Sequence, residues 1–203
     1  MDTTQTEKKI LKAANKIFRN KGMDGARMQD IADEAGINKA LLHYYFRSKE
    51  LLFERIFRDN AAAFFDSVNE ILCADKDLFE KIELLCHNYI DLYTKNPNIP
   101  IFINGEINKK GSGFIKRIFS GGLLKPDYSI MKAQIEKEIK NGRIKNIKPE
   151  MLFVNILSLC LFPLVAKPMM QITLGITEQE FQEMLEERKK LVPAMIIENI
   201  TKK

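Results

Sequence analysis

Bond-making chemistry in this chain would have to start from few groups: two histidines, His43 and His87, and three cysteines, Cys73, Cys86 and Cys160. A thiol nucleophile needs a base within hydrogen-bond reach. Cys86 and His87 are adjacent, and adjacent side chains on a helix point about 100° apart, so they cannot form such a pair. No two histidines stand at metal-ligand spacing. Gly111-Ser112-Gly113 lacks the further glycine of a dinucleotide loop, with Lys116 in its place. Neither an enzyme nor a cofactor or metal is therefore expected. What remains is cationic. Residues 1–49 hold ten lysines and arginines against six carboxylates, whereas the other 154 hold 22 against 21. Nearly all of the +5 net charge sits in the first quarter of the chain, as docking on a polyanion requires. A solvated basic face is the plainer alternative.

Residues 28–47 could position those charges. Ile31 and Ala35 face inward from a first short helix, and Ala32 is small where a second helix must cross. Gly36 makes the turn, Ile37 plugs the corner, and Leu42 and Tyr45 anchor the second helix. Asn38 stands where an N-cap belongs. This is helix-turn-helix spacing, which can place the start of the second helix against base edges in the major groove. The competing reading is an αα-hairpin that only packs.

The surrounding elements all read as helices. Thr4-x-x-Glu7 has the form of a capping box, followed by Ile10, Leu11, Ala14, Ile17 and Phe18 at helical spacing and a stop at Gly22. Ser48 caps a long helix to about Ala74, and Asp77 begins another that ends before Pro97. Asp127–Lys140 is amphipathic, Pro149 opens an apolar segment through Ala166, and Thr177-x-x-Glu180 caps a last helix. The expected class is all-α. A three-helix DNA-binding domain at residues 1–47 joins a larger helical domain at 48–203.

Residues 30–51, DIADEAGINKALLHYYFRSKEL, resemble the signature of the TetR family of regulators: an IA-x-x-AG turn, an aromatic-rich recognition helix, then F-x-S-K-E-x-L. The match is dense over about residues 8–55. It implies a ligand-responsive DNA-binding transcriptional regulator, a repressor whose partners are double-stranded operator DNA and a small-molecule effector. Lys39 and Ala40 lie where members touch bases, and Gln29 where the preceding helix reaches one. His43, Tyr44 and Lys49 lie where phosphates are held. Two positions depart from the pattern. Arg27 replaces a capping Thr or Ser, so either the helix starts less firmly or Arg27 contacts a phosphate. Leu41 replaces a Thr and can only pack or meet a thymine methyl.

The resemblance also implies a pocket among the middle helices, where Phe64, Tyr89, Tyr93, Phe102, Met131 and Phe162 stand with Glu106 as a polar anchor. Each also fits plain core. Such a lining would suit a mainly apolar effector. The last two helices are expected to pair with a second copy, since Met151–Ala166 is too apolar for one small domain to cover. That segment falls short of the roughly 20 residues of a membrane span. With no apolar leader and no cysteine framework, the expected location is the cytoplasm.

Overall fold

The structure, a computed structural model, describes residues 3–95, 105, 108, 109, 111, 113, 116, 120 and 126–202. The chain divides into two compact units, Met1–Ala63 with Asn98–Leu124 and Phe64–Pro97 with Lys125–Lys203.

In the first unit, α1 (Thr3–Gly25) buries Ile10, Ala14 and Phe18 along one face. The Phe18 ring meets Phe53 edge-on at 5.1 Å. Thr4 lies inside the first turn of α1, and the Glu7 carboxylate stands 3.8 Å from Arg55. Gly22 breaks the helix at φ 66°, ψ 179°, a region that only glycine enters without strain. One further turn follows it. Then come α2 (Met28–Ala35) and α3 (Lys39–Tyr45), separated by Gly36 in the left-handed conformation. α4 (Lys49–Cys73) starts under the Ser48 hydroxyl, which accepts from the Leu51 N–H at 3.2 Å. It contributes Leu52, Phe53, Ile56 and Phe57 to this unit's core before its second half enters the other unit.

The second unit contains α5 (Leu78–Lys95), α6 (Ser129–Lys140), α7 (Pro149–Val165), α8 (Lys167–Leu174) and α9 (Glu178–Ile200). α5 packs against α7 and α9, and Ile82, Leu85, Tyr89, Leu152, Ile156, Phe181 and Leu185 form the centre of the core. Cys86 and Cys160 adjoin there, the Cys160 thiol 4.0 Å from the Cys86 carbonyl oxygen, while Cys73 is exposed. The hydrogen bond with Cys160 and then burial push the Cys86 thiol far above its ordinary pKa. Buried Lys81 donates to the Leu72 carbonyl at 2.9 Å, satisfying one of the open acceptors at the end of α4.

Two clips close this unit. Arg143 grips both oxygens of Asp77 and lies over the Phe79 ring at 4.4 Å. That hydrogen bond, ahead of any other cause, holds the Asp77 carboxyl below its ordinary pKa. Thr177 and Glu180 complete the capping box of α9, and Lys167 reaches Glu178 at 2.6 Å. α7 and α8 meet at a bend of 73°. Among the described residues no single helix is long and apolar enough to cross a membrane.

Candidate nucleic-acid interface

The arrangement of α2 and α3 follows from a few local bonds. Gly36 returns its N–H to the carbonyls of Ala32 and Asp33, and the Ile37 N–H reaches the Ala32 carbonyl at 3.0 Å. Ile31 and Ala32 are fully buried, while Ala35, expected to face inward, is only half-buried. Asn38 caps α3, its side-chain oxygen accepting from the Leu41 N–H at 2.8 Å. That bond occupies the Leu41 N–H, and the Leu41 side chain is half-buried.

α3 is held from below by Leu42, which is completely buried, and by half-buried Tyr45. Everything else useful on it points outward. Lys39, Ala40 and His43 are exposed, and Tyr44 is 80% exposed with its ring edge-on to Tyr45 at 5.5 Å. The helix contains no carboxylate. Two of the three acids of α2 are ion-paired: Asp30 accepts from Lys21 at 2.6 Å, and Glu34 pairs with Lys16 at 2.7 Å. The Lys21 hydrogen bond, before other causes, lowers the Asp30 pKa. The outer surface of α3 is therefore cationic and aromatic, while the third acid of α2, exposed Asp33, accepts from the Gln29 amide.

The flanking candidates divide. Arg27 is exposed and extended at the start of α2, and makes no capping bond. The Gln29 amide donates to Asp33 at 2.8 Å, so it must exchange that partner to reach a base. Half-buried Lys49 donates to the Ala26 carbonyl at 3.1 Å, tying the start of α4 to the link between α1 and α2. Periodicity shows Gln29 and Asp33 to be one turn apart. The Lys49 bond spans 23 residues and leaves no local trace in the sequence.

The expected pocket residues are only partly brought together. Phe64 and buried Tyr89 are in ring contact at 5.6 Å, and Met131 is buried in the same core. Tyr128 and Phe153, which periodicity did not single out, meet edge-on at 4.3 Å against that core. Burial raises the Tyr128 pKa, and a hydrogen bond with Tyr89 opposes the rise. The Tyr93 side chain, Phe102 and Glu106 lie outside the described residues. Phe162, by contrast, is 56% exposed on α7. α7 is apolar nearly all round, so spacing could not tell its inner from its outer side.

That outer side forms a stripe. Met151, Val154, Phe162 and Val165 are exposed along α7, and Leu191 and Met195 along α9. A groove of about 250 Å³ runs between the two helices, lined by Asn155, Leu159, Met195, Ile196, Asn199 and Ile200.

Fold and surface together define a helix-turn-helix protein of all-α class. Residues 10–56 match the family described as bacterial regulatory proteins, tetR family. The negative transcriptional regulator IcaR of the biofilm operon icaADBC, from Staphylococcus aureus, is 32% identical over 111 residues, 49% of this chain and 58% of that protein. The chain thus spans little more than half the length of these curated relatives. A crystal structure of a HlyIIR mutant protein covers 98% of this chain and 99% of its own, with a TM-score of 0.65 and 25% identity. FadR of Bacillus subtilis, solved in complex with stearoyl-CoA, shares the fold at a TM-score of 0.69 and 17% identity, over 96% of this chain and 99% of its own. Residues 10–56 are thus similar to the DNA-binding segment of the tetR family, and the fold of the chain is shared with regulators such as FadR. IcaR and FadR are regulators of transcription, and among the described residues no cluster of three or more His, Cys, Asp or Glu could hold a metal ion.

Proposed function

We propose that this protein is a cytoplasmic, ligand-responsive transcriptional regulator, a repressor released from double-stranded operator DNA by a mainly apolar small molecule. The observation that carries the reading is α3 itself: a capped helix, anchored by Leu42, that offers Lys39, Ala40, His43 and Tyr44 to the outside and no carboxylate. Lys39 and Ala40 read bases, Leu41 meets a thymine methyl, and Arg27, His43, Tyr44 and Lys49 hold phosphate. Asn38 serves as the cap that fixes the reading end of the helix. Gln29 reaches a base once it leaves Asp33. Repression is favoured by the relative that is a negative regulator, and an apolar effector by the fold neighbour bound to an acyl thioester.

Residues 1–47 act as the DNA-reading domain and 48–203 as the sensing and dimerisation domain. Two copies pair through α7 and α9, whose exposed apolar stripe a single chain leaves wet. A ligand among Phe64, Tyr89 and Met131 would act through α4, the continuous helix that runs from Lys49 into the sensing unit. A ligand shifts the equilibrium only by its differential affinity for the DNA-competent and released states. A tenfold loss of DNA affinity corresponds to about 1.4 kcal/mol of coupling.

The test is selection of duplexes retained by the purified full-length protein, followed by anisotropy titration. The expected result is a near-palindromic site with half-site centres about one helical turn apart and affinity that falls steeply with salt. Failure to retain any duplex at low salt would overturn the assignment. Small molecules that raise the melting temperature should then bind more weakly in the presence of operator. Equal affinity with and without operator for every such molecule would overturn the sensing part alone.

A further inference from the structure

A cleft of about 300 Å³ lies on the first unit between α1 and α2, lined by Lys9, Lys12, Ala13, Lys16, Glu34 and Ala35. Three of its lining groups are ammoniums on one side of α1, at positions i, i+3 and i+7, which share a helix face. They are not equivalent. Lys16 is already paired with Glu34 at 2.7 Å, whereas Lys9 and Lys12 are exposed and have no counter-charge among the described residues. The two ion pairs fix the relative direction of the helices. Lys21 stands against Asp30 and Lys16 against Glu34, so moving back along α1 means moving forward along α2. Continuing that register carries Lys12 and Lys9 past the end of α2 at Ala35, toward the Gly36–Asn38 turn from which the recognition helix starts.

We infer that Lys9 and Lys12 form a second phosphate-binding site, which holds the DNA backbone beside the half-site read by α3. The inference rests on the DNA-binding reading above and extends it to a surface outside the helix-turn-helix. The nearest carboxylate in the cleft is neutralised by Lys16, so the two free ammoniums face solvent with their charge intact. A flexible lysine suits this task as a point charge, because a backbone phosphate requires no fixed donor geometry. Such contacts add affinity and carry no sequence information.

The test uses the full-length protein on two duplexes, the selected site with natural flanks and the same site trimmed at the half-site ends. Each phosphate contact contributes a slope of about 0.9 to the dependence of log K on log salt. On the flanked duplex, Lys9→Ala with Lys12→Ala should flatten that slope by roughly 2 for each bound protomer. The ratio of specific to non-specific affinity should stay unchanged. On the trimmed duplex the double variant should match the wild type, and Lys9→Arg with Lys12→Arg should restore the flanked slope. An unchanged slope on the flanked duplex, in a protein whose melting temperature and wild-type DNA binding are intact, overturns this inference alone. A wild-type chain that binds neither duplex overturns it together with the parent reading.

Discussion

Helices α3 and α7 both expose groups that their own packing does not use, but the groups differ in kind. α3 has seven residues, is anchored through Leu42, and shows lysine, histidine and tyrosine to the outside. α7 has 17 residues, buries Leu152, Ile156, Cys160, Pro163 and Leu164, and shows methionine, valine and phenylalanine on the opposite side. A helix needs one apolar stripe to stay folded. What its other faces carry is set by what they meet, and polar and apolar remainders call for different partners. The first suits a hydrated polyanion, the second a dry protein surface.

Substitutions can pull this comparison apart, beginning with the anchor. Leu42→Ala should cost about 2–5 kcal/mol of stability in chemical denaturation, because it leaves a cavity beneath a helix held by little else. A cost under about 1 kcal/mol would show that α3 has support beyond Leu42. Phe162→Glu should weaken self-association by about 2–4 kcal/mol, the range for a residue central to an interface. Sedimentation at micromolar concentration would then show the single-chain mass of 23.4 kDa, with the far-ultraviolet spectrum unchanged. A stable dimer of the variant would detach the α7 stripe from assembly.

Lys39→Ala should cost about 1–3 kcal/mol in DNA binding and relax the preference at one or two base pairs. A loss that is equal for all sequences would move Lys39 from the base edges to the backbone. Asn38→Ala should cost about 0.5–2 kcal/mol in stability through the lost cap. The smallest effect concerns α8 and α9. The Lys167 hydrogen bond, with Gln182 and Gln171 behind it, pulls the Glu178 carboxyl from 4.5 down to about 2. A depressed carboxylate pKa adds stability above the ordinary value, and that stability is lost as pH falls toward the folded one. Glu178→Gln should therefore lower the melting temperature on the order of 1 °C at pH 7. The gap should close between about pH 4.5 and 2.

Much of the reading end was legible because its determinants are local. Gly36, Asn38, Ser48 and Thr177 each act within four residues, so the turn and the caps follow from spacing alone. The commitments made across the fold were not legible. Lys49 bonds to Ala26, Lys16 to Glu34 and Arg143 to Asp77, partners from 18 to 66 residues away. Phe162 shows a different limit. Periodicity assigns residues to a common face, but on a helix that is apolar nearly all round it cannot say which face the core takes. Tyr128 fell inside the stretch read as amphipathic, but its contact with Phe153 joins residues 25 apart and leaves no local trace in the sequence.

The placement of the three thiols makes the molecule its own clock. Cys73 is open to solvent, whereas Cys86 and Cys160 are enclosed, and the Cys160 hydrogen bond and burial keep the Cys86 thiol protonated. Because alkylation requires an accessible thiolate, one equivalent of reagent should be consumed at once. The other two should be consumed only as often as the interior transiently opens. The slow phase is then an exchange rate for the second unit alone, read without any introduced label. A molecule that occupies this interior should lengthen the slow phase and leave the fast one untouched, which separates binding in this core from binding anywhere else.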